Sequence, residues 1–146
     1  MRLQLRVAAV GVHRGRVLLS RGPGDDFWAL PGGRVERGES TTEALAREVH
    51  EELGVRVAPG RLLWVAESFF RYRDERYHEV GFYYEADLAA ARQHEEPWER
   101  ADETGVRLAW RWLPVAEAPR TDIRPAFLRN GLGALPATPV HVVQRD

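Results

Sequence analysis

Three glutamates, Glu48, Glu51 and Glu52, sit inside the run EVHEEL and have the types and spacing to do chemistry. On a helix turning about 100° per residue their carboxylates share roughly 100° of arc. Three carboxylates on one arc repel one another unless a cation lies among them. Oxygen donors, with no cysteine and no clustered histidine nearby, suit Mg2+ or Mn2+ rather than zinc. Taken alone, EVHEE is also the pattern of a solvated, glutamate-rich helix face. Its flanks decide between the two readings.

Those flanks carry helix signals. Ser40 with Glu43 three residues on forms a capping box, and Gly54 stands where a helix-terminating glycine belongs. Leu45, Val49 and Leu53 make an i, i+4, i+8 apolar stripe. The acids lie beside that stripe rather than opposite it, which puts them at the rim of the core. Arg47 is four residues before Glu51 and can pair with it. Upstream, Gly32 and Gly33 permit close approach of backbone to a ligand, although two glycines equally suit a plain strand-to-helix turn. A further acid, Glu39, precedes the cap.

The 146 residues predict one domain over 1–146 with a real core. Apolar residues make up 44% and charged residues 29%, ordinary for a soluble globular protein. A net charge of −1 argues against a nucleic-acid polymer as partner, and no basic helix suggests a membrane surface. The absence of cysteine removes disulfides, thiolate catalysis and cysteine-ligated zinc. All 21 basic residues are Arg, so a phosphate loop with its lysine and Schiff-base chemistry are excluded. The start MRLQLRVAAV lacks a signal-peptide layout, and no apolar run approaches a bilayer span, so a cytoplasmic location is expected. Ser20, Ser40 and Ser68 lie in no nucleophile-elbow context. His13, His50, His78, His94 and His141 show no metal-ligand spacing.

Alternation and turn chemistry predict the remaining elements. Strands are expected over 3–12 and 16–20, joined by a tight turn at His13-Arg14-Gly15. A Gly/Pro/Asp loop over 21–26 leads to a short strand over 27–30 and a turn at Pro31-Gly32-Gly33. Residues 55–57 and 62–70 look extended, and a charged turn over 71–76 joins the latter to a long strand over 77–88. Residues 89–105 read as a long acidic loop, which in a compact domain is usually functional or disordered. A strand over 106–115, a turn at Pro119, a second helix over 124–132 and a last short strand within 136–146 complete the chain.

Gly33, five residues, Glu39, seven residues, then Arg47-Glu48-Val49-x-Glu51-Glu52-x-Gly54-Val55 resembles the Nudix box at every specified position from 33 to 55. The lead-in WALPGG at 28–33 and the trailing LAWRWLPVAEA are similar in layout, so the resemblance extends over nearly the whole chain. It implies an α/β (α+β) fold, the α/β/α Nudix sandwich with a mixed sheet between helices. The implied activity is Mg2+- or Mn2+-dependent hydrolysis of a nucleoside diphosphate linked to another group, a nucleoside triphosphate or an ADP-ribose-like nucleotide. Glu48 and Glu52 would be metal ligands, and Glu51 a ligand or the water-activating base. Arg47 would orient the carboxylates, the Gly32 carbonyl would be a further ligand and Glu39 a supporting acid. The resemblance is compatible with a homodimer.

Family members also draw an acid from the later loop. Of Glu95, Glu96, Glu99, Asp102 and Glu103, the favoured candidate is Glu103, because it precedes the last core strand; the alternative is that all five are solvated loop charges. Phe69, Phe70, Tyr72 and Trp98 are candidates to stack on a base, with core or surface packing as the alternative for each. One of His78 and Glu79 could face the cleft, with a satisfied surface pair as the alternative and Glu79 taken as the substrate-side residue. The alternative is a fold relative that senses a nucleotide without cleaving it. An isomerase on the same scaffold would use a cysteine acid, which this chain lacks.

Overall fold

A computed structural model describes residues 1–91 and 96–146. Within them, nine strands and two α-helices follow in chain order: β1 (Arg2–Val10), β2 (Val12–His13), β3 (Arg16–Arg21), β4 (Gly32–Arg34), α1 (Thr41–Leu53), β5 (Leu62–Tyr72), β6 (Glu75–Glu85), β7 (Trp98–Ala101), β8 (Arg107–Pro114), α2 (Leu128–Gly131) and β9 (Val140–Arg145), with a 3-10 turn over Val115–Arg120. The strands form two sheets. The larger is mixed, in the order β4-β1-β6-β5-β9, and the smaller is antiparallel, in the order β2-β3-β8-β7.

Strand alternation divides the apolar residues between two cores. Val7 and Ala9 of β1 join Leu18, Trp110 and the α1 residues Ala44, Leu45, Val49 and Leu53. Ala8 and Val10, on the opposite face, join Leu19, Trp64, Tyr83, Ile123 and the α2 residue Leu128. Helical layers therefore flank the sheets, as the α/β (α+β) sandwich requires. The layers are unequal, because α2 has only 4 residues where a helix over 124–132 was expected.

The helix carrying the acids is set by its ends and its stripe. Ser40 Oγ accepts from the Glu43 N–H at 3.1 Å, and Gly54 closes the helix in the left-handed conformation, φ 70°. The charged turn narrows to Arg73-Asp74, both with positive φ, which fits a two-residue hairpin turn.

Three expectations need correction. Gly32-Gly33 is part of strand β4 rather than a turn, because the backbones of β4 and β1 approach so closely that a Cβ at Gly32 would collide with the Val7 carbonyl. Residues 27–30 make only isolated bridges, Ala29 to Ser20 and Trp28 to Ile123. The stretch 89–105 is not loop throughout, since Trp98–Ala101 pairs antiparallel with β8. No helix among the described residues is long and apolar enough to cross a membrane.

Candidate active site

Helix α1 lies against β1 and β4, and this contact brings the predicted acids to the two glycines. A Cβ at Gly33 would strike the Glu48 carboxyl group. The Gly32 N–H donates to Glu52 Oε1 at 3.0 Å. Gly32, Gly33, Glu48 and Glu52 all line one cavity of about 510 Å3, whose floor is the face of β1, β6 and β5 opposite α1.

Arg47 organises the acids from outside that cavity. Its Nε and Nη2 grip both oxygens of Glu39, at 2.8 and 2.7 Å. Its Nη1 donates to Glu48 Oε1 at 2.9 Å and reaches Glu51 at 3.3 Å, and Nη2 also meets the Arg34 carbonyl at 3.1 Å. One planar guanidinium thus fixes three carboxylates and a strand backbone. The Arg47 hydrogen bonds, helped by the Glu36 N–H, hold Glu39 well below the usual carboxylate range, at about 2.

Glu48 and Glu52 behave in the opposite way. Burial raises the pKa of Glu48, against the opposing pull of Arg47. Burial likewise pushes Glu52 up to about 8, with Arg6 and the Gly32 N–H only partly compensating. Two acids in one wall are therefore short of positive charge. All their donors are oxygens, so the group that fits is a hard divalent cation. Among the described residues, no three Asp, Glu or His side chains are arranged to hold a metal as they stand; Arg47 engages both Glu48 and Glu51, and Glu51 does not line the cavity.

The other predicted residues fall on both sides of this boundary. Phe70, Tyr72 and Glu79 line the cavity. Tyr72 is anchored by its hydroxyl donating to Asp25 at 2.9 Å, and Phe70 stacks on Tyr77 with centroids 5.1 Å apart. Phe69 points to the other sheet face, stacked on His78 at 4.3 Å. Trp98 stacks on Trp110 in the smaller sheet, away from the cavity. Glu103 lies beside His50 at 3.8 Å with its side chain 61% exposed. Asp102 accepts from Thr104 and Val106 and so shapes the turn before β8. Glu96 and Glu99 are exposed, and Glu95 and His94 lie outside the described residues.

Reasoning from sequence missed Gln4, Arg6, Arg34, Ser68 and Arg124, all of which line the cavity. A signal existed for the first two. In LQLRV the polar residues alternate with Leu3, Leu5 and Val7, and the structure turns the polar set inward, leaving Leu3 71% exposed and Leu5 46% exposed.

Fold and site together define a two-sheet α/β protein whose acid-bearing helix borders a cavity of nucleotide size. The model of the NUDIX domain matches residues 2–130, and the chain belongs to the Nudix hydrolase family. Relatives include proteins named RNA pyrophosphohydrolase, from Haemophilus influenzae (37% identical over 61 residues, 42% of this chain and 31% of the relative) and Halorhodospira halophila (44% over 59 residues, 40% and 33%). The chain thus matches about a third of the length of these curated relatives. Among solved structures, the E. coli ORF135 protein is 27% identical with a TM-score of 0.60, covering 92% of this chain and 89% of that one. The mutator MutT protein of Bacillus halodurans shares the fold at 21% identity, with a TM-score of 0.67 over 94% of this chain and 89% of that one.

Proposed function

We propose that this chain hydrolyses a pyrophosphate bond in a nucleoside diphosphate linked to another group, either a nucleoside triphosphate or an ADP-ribose-like nucleotide, and that it requires Mg2+ or Mn2+. The observation that carries the reading is the pair Glu48 and Glu52 in one cavity wall, both with raised proton affinity and with Arg6 beside them. Glu48 and Glu52 would hold the cation, joined by Glu51 on release from Arg47 and by the Gly32 carbonyl. A bound cation supplies charge neutralisation for the diphosphate and lowers the pKa of a coordinated water.

The chain's own groups do the rest. Arg6 and Arg34 line the cavity and bind phosphate oxygens, where positioning and charge stabilisation supply most of the catalysis. Arg47 orients Glu48 and Glu51 from behind and is itself fixed by Glu39. Glu51 is the candidate to accept the proton of the attacking water. The water oxygen joins phosphorus, the P–O–P bridge breaks, and the bridging oxygen leaves with one phosphate product. The relatives' names support pyrophosphate chemistry, and RNA therefore joins the free nucleotides in the panel to be tested.

A second reading is a nucleotide-sensing module without catalysis. It is favoured by the engagement of Glu48 and Glu51 with Arg47 and by the lack, among the described residues, of three ready-made ligands. The test is incubation with Mg2+ and nucleoside triphosphates, ADP-ribose, other nucleoside diphosphate derivatives and 5′-triphosphorylated RNA, with products identified. Hydrolysis of any of them, abolished by Glu52→Gln with the fold intact, supports the enzyme. Tight binding without turnover favours the sensor, and undiminished turnover in Glu52→Gln would sink the ligand assignment.

A further inference from the structure

Three polar side chains on the cavity floor stand in one row across the larger sheet. Gln4 of β1 is the register partner of Glu79 on β6, and Glu79 is the register partner of Ser68 on β5. All three line the cavity, yet none belongs to the acid cluster on α1. Glu79 is 5% exposed and Ser68 2%. Gln4 Nε2 donates to Glu79 Oε2 at 2.6 Å, whereas Ser68 Oγ has no hydrogen-bond partner among the described residues. Buried polar groups left unpaired are rare and destabilising in native folds. A carboxylate and an unpaired hydroxyl in adjacent register positions therefore point to a ligand that completes them.

The neighbouring rows say which part of a ligand arrives here. Gly32, which donates to Glu52, is the register partner of Ala8. Gln4 is four residues before Ala8 on the same strand and face, so the row lies ~13 Å along the sheet from the acids. Arg6 occupies the position between them, and its cross-strand neighbours, Gly81 and Ala66, leave depth above the floor. Beyond the polar row, Tyr77 and Phe70 stack with an interplanar angle of 10°. A nucleotide laid along this floor, with phosphates between Arg6 and the acids, sets its base over Gln4, Glu79 and Ser68, against the aromatic pair.

We propose that Gln4, Glu79 and Ser68 form a base-reading row that selects a guanine-type edge, two adjacent N–H donors beside a carbonyl. The proposal rests on reading Glu48 and Glu52 as the phosphate end of the cavity. Glu79 and the Gln4 carbonyl are acceptors, and the Gln4 amide nitrogen is already committed to Glu79. The Ser68 hydroxyl is free to donate. Guanine offers N1–H and the 2-amino group to the acceptors and O6 to Ser68. Adenine and cytosine place a ring nitrogen acceptor beside their amine, which faces the carboxylate unfavourably. Uracil has a single N–H between two carbonyls. A site with buried polar groups rejects bases that leave those groups unpaired.

The test is calorimetric titration of the intact chain, with Mg2+, by GMP, AMP, CMP and UMP. These monophosphates have no pyrophosphate bond, so the readout is independent of turnover. GMP should bind at least about tenfold tighter than the other three. Glu79→Gln should erase that preference by weakening GMP and strengthening AMP, whose ring nitrogen then meets an amide in place of the carboxylate, a change in selectivity that a structural role would not produce. Ser68→Ala should weaken GMP alone, by about fivefold, while its melting temperature holds or rises. Equal affinities for the four, no GMP binding, or an equal loss for all four in the variants overturns the proposal. Guanine-selective binding with no hydrolysis of any nucleotide keeps the base site and sinks the hydrolase reading. Hydrolysis without base preference does the reverse.

Discussion

Gly33→Ala tests whether the strand and the acid helix form one working unit. Gly33 is not among the glycines with positive φ, so alanine meets no backbone strain there and acts only through space. Its Cβ would overlap the Glu48 carboxyl group, and Glu48 must swing aside. Doing so breaks its hydrogen bond to Arg47 Nη1, now 2.9 Å, a contact between charged groups of about 1.5–3 kcal/mol, here at the lower end because Arg47 is partly exposed. An off-rotamer Glu48 adds about 0.5–1.5 kcal/mol. The lower chain entropy of alanine returns about 0.5–1 kcal/mol. The net expectation is a destabilisation of about 1–3 kcal/mol, read by urea unfolding. Turnover should fall much further, by about 10^2–10^3, because the displaced carboxylate is one of the two that would hold the cation. Gly38→Ala is the control. Gly38 has φ +86°, and a Cβ added there would meet nothing within 4 Å, so the variant should lose about 1–3 kcal/mol from backbone strain and keep its activity. The reasoning fails if Gly33→Ala stays within about 0.5 kcal/mol of the parent with full turnover, or if the two variants lose activity alike.

Removing the helix cap with Ser40→Ala should cost about 1 kcal/mol, since the Glu43 N–H loses its acceptor; an unchanged denaturation midpoint would refute the cap's role. In metal-free protein, Glu52 keeps a proton up to about pH 8, whereas an ordinary glutamate releases it near 4.5. Between those values the native state binds the proton that the unfolded chain has released, so this group makes stability fall as pH rises. Thermal melts in chelator should show that fall flattened in Glu52→Gln, and an identical pH profile in the variant would count against the buried acid. Glu39 has the opposite sign. Its carboxylate, held at about 2, supports the fold fully above about pH 4.5 and loses that support as pH falls toward 2; Arg47→Ala should remove the effect in acid titrations followed by circular dichroism.

Helix α1 was legible because its information is local. Ser40, Gly54 and the Leu45, Val49, Leu53 stripe each act within a turn or two of the chain, and the structure buries all three stripe residues. The hairpin of β5 and β6 was legible for the same reason, as its turn is two residues long. Strand β4 was not, because nothing in Pro-Gly-Gly specifies pairing. Its edge exists only because β1 lies alongside, too close for a Cβ at Gly32. The strand at Trp98 was hidden in a polar stretch for a similar reason, since its register comes from β8 and its ring from Trp110. The short α2 is the opposite error. Apolar residues such as Leu128 and Leu132 are buried there, but they pack from turns as well as from a helix.

The acids were legible for a reason that the cavity residues lack. Glu48, Glu51, Glu52 and Arg47 occupy one helix, so spacing alone sets their relative positions. The cavity is built from β1, β5 and β6, which are brought together by register between segments far apart in the chain, and no local pattern reports that. Alternation in LQLRV separates Gln4 and Arg6 from Leu3 and Leu5, but a hydrophobicity argument would turn the leucines inward. The structure turns them outward. Two polar side chains, one a cation, are held in a wall at the expense of two exposed leucines, and the apolar residues of β1 reach the core only from Val7 onward. Hydrophobic burial does not favour that arrangement on its own. A ligand that presents phosphate to Arg6 and a base edge to Gln4 and Glu79 would, so the inversion of β1 agrees with the nucleotide site proposed above.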